Sequence, residues 1–511
     1  MSARETVVNR PGGRRARREK RAAEPRRIAS AAIAARYAPL TDAECGAIHN
    51  AALTLLEEVG MADATPEAAR RAIGAGASMG EDGRLRFPRR LVEDRLAKAA
   101  RSFTVHGRDP ARDFTARSGE IRFCTGGAAV SMLEGDAYRP STLADLYSIA
   151  RLAETLDNLD WIARPVVATD IEDAFELDAN TIYACAAGTT KHIATSFVSG
   201  DHVRRLTPML DALAGGDFAA RPFCTVHATT VVSPMSFAPD SLDVAFAAIE
   251  AGMPVHGQTG PQAGATAPAT LAGALAQTCA EGLATLCLVN IARPGHPYVI
   301  GNWSFVSDLR TGAFSGGGAE QALLGAASGQ MSAFYGVPGG MGAGMSDSKL
   351  PDAQAGFEKA LTVALAALSG GGFAFETAGM LASLLGASLE AMVIDDEMLG
   401  SIRRIARGIE VNDATLAVDV VREAVAGPGH FLGAAQTLDV METEFVYPRI
   451  ADRLSPADWE AAGGGDIRAR AARIVAERLA APPRALISPE ADAKIRAAFP
   501  IRLPNIWSAR S

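Results

Sequence analysis

Residues 339–358, GGMGAGMSDSKLPDAQAGFE, carry the unit on which the fold turns. Gly339, Gly340, Gly342 and Gly344 alternate with small or apolar residues, so the backbone here can come close to a neighbouring strand or a bulky ligand. Ser346, Asp347, Ser348 and Lys349 then break the run, and Pro351 with Asp352 supplies a helix start. A proline lacks the N–H that a first turn leaves unbonded, and an acid suits the positive end of the helix dipole. The segment reads as strand, polar loop, helix. Alone it is also an ordinary βα turn, so its weight comes from repetition.

The same unit recurs on both sides. Short β-type runs fall at 121–124, 161–168, 192–198, 222–227, 254–258, 297–301, 339–345 and 372–376. Helical patterns fill the intervals at 142–156, 172–187, 201–214, 239–251, 268–292, 318–335 and 351–369. Strand starts recur roughly every 30 to 45 residues, which is the spacing of an α/β (β/α)8 TIM barrel. A doubly wound open sheet is the rival, but no GxGxxG follows the first strand and opens a helix. Around the barrel, expected over 119–410, the sequence predicts a disordered basic arm at 1–30, an α-rich region at 31–118 and a helical extension at 411–511.

Composition sets the outer limits. With 511 residues, 48% hydrophobic and 21% charged, the chain can bury a large core. A net charge of −8 argues against a body built for nucleic acid or an anionic membrane. From Arg4 to Arg27 arginine is dense and no apolar h-region follows, so this stretch is expected to be a solvated arm and not an export signal. The apolar run 263–292 contains Gln277, Glu281, Asn290 and Arg293, which predicts a buried helix and no membrane span. Six cysteines without a CxxC pair fit a reducing cytoplasm.

A barrel places its chemistry just after the strand ends. There the sequence puts Thr125 to Gly127, Thr169 and Asp170, His227 to Thr230, Gln258 to Gln262, Asn302 to Arg310, Met345 to Lys349 and Glu376 to Gly379. Trp303 and Phe305 share one of these loops, and Phe373, Phe375 and Glu376 end the last strand. Aromatic faces with one or two carboxylates suit a cation that donates no hydrogen bond, although strand phenylalanines also simply fill barrels. No GxSxG, HExxH, P-loop or kinase signature occurs, and the eight histidines have no metal-ligand spacing, so no metal site is expected. Cys224 and His227 are three apart on a strand and face opposite sides. His227 and His256 can meet at the barrel top, where a hydrogen-bonded structural role is expected of each.

Three further features carry a resemblance: TGPQAGATAPATLAG at 259–273, the turn Arg293 to Gly295 before Tyr298-Val299-Ile300-Gly301, and Ser346 to Lys349 followed by Asp352-Ala353-Gln354-Ala355-Gly356. With the arginine-rich start around Gly12 and Gly13 and the late Asp395-Asp396-Glu397, they resemble the trimethylamine methyltransferase family over nearly the whole chain. That resemblance implies a TIM barrel that moves a methyl group from a methylated amine to the Co(I) corrinoid of a small partner protein. Founding members carry pyrrolysine near the glycine-rich strand, whereas residues 342–349 here are all standard. Relatives without pyrrolysine are linked to quaternary amines such as glycine betaine. A quaternary nitrogen is already an activated leaving group, so positioning and desolvation become the protein's main tasks.

The resemblance then implies roles. Trp303, Phe305, Phe373 and Phe375 would wall the N⁺; Glu376 or Asp347 would be the catalytic carboxylate offsetting its charge; His227, Gln258 or Arg310 would anchor a substrate carboxylate. Gly342, Gly344, Met345 and Ser346 would let the corrin ring approach. No cofactor is expected to bind this chain tightly, the cobalamin being supplied by the cognate corrinoid protein, and a homo-oligomer is expected. Other readings are a betaine-binding or sensing protein without turnover, a scaffold acting through the arginine-rich arm, and a methyltransferase for a tertiary amine or sulfonium donor.

Overall fold

The structure, a computed structural model, describes residues 37–505; the basic arm expected at 1–30 lies outside the described residues. Eight parallel strands close into a barrel. They are β1 (Arg122–Thr125), β2 (Trp161–Ala163), β3 (His192–Thr195), β4 (Cys224–Thr229), β5 (Val255–Thr259), β6 (Tyr298–Asn302), β7 (Gly339–Gly342) and β8 (Phe373–Ala378). Each pairs with its neighbour in sequence, and β8 closes on β1 through Phe373 opposite Arg122. All eight fall on the runs expected from the sequence. Alternation sorts their side chains: Ile162, Ile193 and Val226 pack outward with the helices, while Trp161, Ala163, Ala194 and Phe373 share the lumen.

A helix follows each strand: α1 (Leu143–Glu154), α2 (Ala174–Gly188), α3 (Gly200–Ala214), α4 (Pro239–Glu250), α5 (Leu271–Ala292), α6 (Ala319–Tyr335), α7 (Ala353–Leu368) and α8 (Leu389–Arg407). Helix α5 is long and apolar enough to cross a membrane by length and composition, but its residues Ala274 to Asn290 are all buried in the molecule. Such an all-round apolar helix is a core helix. The start of α7 differs by two residues from the sequence reading. Asp352 is the cap, its side chain accepting from the Ala355 N–H at 2.9 Å, and Pro351 precedes it.

The N-terminal region combines helices with short strands. Besides helices Asp42–Thr54, Pro66–Gly74 and Arg89–Lys98 it contains two antiparallel pairs, Ser78–Met79 with Leu85–Arg86 and Ser102–Val105 with Phe114–Arg117. The second plugs the barrel at its strand-start end. Val105 and Ala116 join the lumen cluster, the Phe114 ring lies 6.1 Å from Phe373, and the Arg122 guanidinium stands 4.8 Å over Phe114. The opposite, strand-end mouth is therefore the working face.

The C-terminal extension divides in two. Residues 408–447 form a small unit of their own, with helices Asp413–Leu416, Val418–Ala426 and Ala435–Glu444 and a single buried residue, Ala424. Residues 448–505 belong to the barrel unit, where helix Ile467–Ala480 packs on α8 and α1.

Candidate active site

The lumen is filled by a column of rings. Trp161 on β2 touches Phe373 and Phe375, both with centroids at 5.1 Å, and lies 6.0 Å from His227 on β4. One layer higher, His256 on β5 stacks on Phe375 at 4.3 Å and 9°, while His227 meets His256 at 4.7 Å. Trp303, just past β6, stands 5.1 Å from Phe375 and 6.0 Å from Phe305, which in turn meets Phe314 at 5.0 Å on the mouth. Phe373 and Phe375 are fully buried, Trp303 is 6% exposed, and Phe305 is partly open. The four expected aromatics thus form one continuous wall, with Trp161, His256 and Phe314 as members the sequence did not single out as ring-wall residues.

The glycine-rich strand makes room for these rings. A Cβ on Gly340 would sit 2.8 Å from the Phe375 ring and 2.9 Å from His256 Nε2, and one on Gly301 would sit 2.7 Å from the same nitrogen. Gly342 would meet Phe305 at 3.1 Å. Gly344, at φ 82°, has its Cβ position 2.6 Å from the Thr377 backbone. Met345 and Ser346 are buried, and the Ser346 hydroxyl donates to Glu358 at 2.7 Å. Gly342, Gly344, Met345 and Ser346, where a corrin ring was expected to approach, are thus buried against groups of the protein itself.

Glu376 lies where β8 departs from regular pairing with β1. Ala374 is opposite Phe123 and Ala378 opposite Thr125, so the strand bulges between them and Glu376 adopts φ 68°. A bulge re-aims a side chain, and left-handed geometry at a non-glycine residue is characteristic of working sites. The carboxyl turns to the loop after β1, where Oε2 accepts from the Gly127 N–H at 2.7 Å. It is 4% exposed and has no ion-pair partner among the described residues. Lys359, the cation whose charge acts on it, is bound to Asp395 at 2.6 Å. Burial drives the Glu376 pKa up to about 8, so near neutrality it is largely a neutral acid.

The other expected residues separate. Asp347 is held by structural donors, the Ser383 hydroxyl at 2.7 Å, the Gly316 N–H at 2.8 Å and the Ser315 hydroxyl at 3.0 Å, and serves as a loop organiser apart from Glu376. Arg310 has an 88% exposed side chain paired with its neighbour Asp308 at 2.9 Å, outside the ring wall. Gln258 stands on the mouth beside Thr229, whose hydroxyl reaches it at 3.5 Å. His227 and His256 do meet, but not as hydrogen-bonded structural histidines. Nε2 of His227 and both ring nitrogens of His256 are buried without a protein partner. Burial pushes the His227 pKa down to about 3 and that of His256 well below its ordinary value, so both rings are neutral. The indole Nε1 of Trp303 is likewise buried without a partner. One rim residue had been hidden. Residues 161–168 read as one strand, but β2 stops at Ala163, and Arg164 stands at its working end.

Ring faces of this kind attract organic cations, and the buried acid at the end of β8 becomes charged when a cation offsets it. Among the described residues, no three His, Cys, Asp or Glu side chains converge as a metal-ligand set.

Comparison with known proteins gives a consistent picture. The family model described as trimethylamine methyltransferase (MTTB) matches residues 10–502. A glycine betaine methyltransferase of Desulfitobacterium hafniense (strain Y51) is 31% identical over 90% of this chain and 96% of its own. A trimethylamine methyltransferase MttB of Desulfitobacterium hafniense (strain DSM 10664 / DCB-2) is 30% identical over 85% of this chain and 88% of its own. Among solved structures, the Methanosarcina barkeri monomethylamine methyltransferase (MtmB) aligns with 86% of this chain and 94% of its own at 12% identity, with a TM-score of 0.46.

Proposed function

This chain belongs to the trimethylamine methyltransferase family, and from that premise we propose that it takes a methyl group from a quaternary amine of the glycine betaine type and delivers it to the corrinoid of a partner protein. The observation that carries this reading is the ring wall at the mouth, where Trp303 meets both Phe375 and Phe305, together with a buried Glu376 that has no ion-pair partner among the described residues. A quaternary ammonium offers no N–H, so hydrogen-bond acceptors gain little from it. Ring faces each contribute roughly 0.5 to 2 kcal/mol. The run 342–349, made of standard residues, supplies no electrophile to activate a tertiary amine, and a quaternary one needs none.

The residues' tasks follow. Trp303, Phe305 and Phe375 hold the N-methyl groups and exclude water, which fixes the direction in which a methyl group can leave. Glu376 lies next to this wall as a neutral acid, and an approaching cation favours its ionised form, matching charge to charge without a permanent anion in an apolar lumen. The partner's corrinoid supplies the nucleophile that accepts the methyl group.

The test is calorimetry with glycine betaine and its carbon isostere 3,3-dimethylbutanoate, which keeps the carboxylate and replaces the charged nitrogen with an uncharged carbon. The wild-type chain is expected to prefer glycine betaine, and Trp303→Ala to weaken it about tenfold while leaving the isostere nearly unchanged. Equal affinity for the two ligands in the wild type removes the cation cage.

A further inference from the structure

Arg164 is a guanidinium looking for an anion. Its backbone is fixed at the end of β2: its N–H donates to the Ala194 carbonyl at 2.8 Å, and its own carbonyl accepts from the Ala128 N–H at 2.7 Å. Its side chain has neither hydrogen bond nor ion pair with a described residue, and Nε is buried without a partner. The carboxylate that most offsets its charge is Asp178 on α2, whose Oδ1 is buried without a partner and forms no hydrogen bond or ion pair with Arg164. Asp178 Oδ2 accepts from the Val198 N–H at 2.9 Å and pairs with His202 at 2.7 Å. The Arg164 charge also reaches into the lumen, where it is felt by His227. An arginine kept partly from water with no carboxylate bonded to it among the described residues is costly unless a ligand completes it.

Its place in the ring of strands gives the ligand's chemistry. Taken in barrel order, β2 to β5 bring Arg164, His227 and Gln258 to one arc of the mouth. Strands β6 to β8 bring Trp303, Phe375 and Glu376 to the other. The first arc offers a fixed cation, a neutral imidazole and an amide, all able to donate to a carboxylate. The second offers ring faces and an acid. A ligand with opposite charges at its two ends fits both arcs at once, and Arg310, paired and exposed, is not needed.

We propose that Arg164 is the receptor for the donor's carboxylate, so that the enzyme selects carboxyl-bearing quaternary amines over simple amines and choline-like cations. This rests on the quaternary-amine reading above and deepens it. The guanidinium orients the donor by its carboxylate, which turns the ammonium end, and with it the methyl to be transferred, toward Trp303 and Phe375.

The experiment is calorimetry on the full chain with glycine betaine and with choline, which keeps the trimethylammonium group and lacks the carboxylate. The wild type is expected to bind glycine betaine more tightly than choline. Arg164→Gln is expected to weaken glycine betaine about 30-fold or more and leave choline unchanged, with Arg164→Lys in between. An Arg164→Gln chain that binds glycine betaine as the wild type does, or that loses both ligands equally, overturns the assignment. If that variant does not fold, the wild-type ratio decides: equal affinity for the two ligands overturns it. A wild type that binds neither fails the quaternary-amine reading itself, a result separate from any effect of residue 164.

Discussion

Glu376 holds its proton near neutrality because the folded chain buries it and gives it one backbone N–H, that of Gly127. Its position at the end of the last strand was legible in the sequence. Its bulge, its φ of 68° and its contact with Gly127 were not, since all three depend on how β8 meets β1. The pH consequence has a definite sign. The pKa rises from an ordinary 4.5 to about 8 on folding, so the folded chain binds a proton that the unfolded chain releases. The contribution of Glu376 to stability is thus fully present below about 4.5 and is lost as pH rises toward about 8. Glu376→Gln should flatten that fall, and its melting temperature should exceed the wild type's at pH 8 by more than at pH 5. Equal differences at both pH values would show that the acid is not held neutral. Arg164 marks the opposite limit of sequence reading: it sat within an apolar run taken as one strand, and only the observed end of β2 places it at the mouth.

Strand β7 shows what an element-scale reading catches and what it misses. Four glycines in a strand signalled close approach, and the close approach is real, but the approaching groups are Phe375, His256 and Phe305 from inside the barrel. A pattern in one strand cannot name the side chains of three others. Gly340→Ala should therefore cost roughly 1 to 3 kcal/mol, the range for overpacking a filled core. Gly356→Ala, on α7 where a Cβ would meet nothing within 4 Å, should instead stabilise by about 0.5 to 1 kcal/mol. Denaturant titration of both variants reads the contrast, and equal effects would contradict the packing account. The barrel strands themselves were legible because parallel strands buried on both faces read as short apolar runs between helices. The plug hairpin was not: Phe103, Val105, Phe114 and Ala116 are spread among polar and charged neighbours in a short alternating pattern.

At the scale of the molecule, eight βα units bring residues far apart in sequence onto one mouth, from Gly127 to Glu376. Closure brings Arg164, His227 and Gln258 onto the same mouth as Trp303 and Glu376, and the ring column below makes the lumen a floor, not a passage. The family was legible because its motifs are spread over the chain, while the polarity of the mouth exists only once β2 and β8 are neighbours of β1. The most direct measurement of the account follows one methyl group. The full chain is mixed with glycine betaine labelled with carbon-13 in its methyl groups and with a reduced corrinoid protein, and the products are followed by NMR. The account predicts one label on the corrinoid for each dimethylglycine formed, with trimethylamine left unconsumed under the same conditions. Glycine betaine that binds yet keeps all three methyl groups, or trimethylamine consumed in its place, would contradict it.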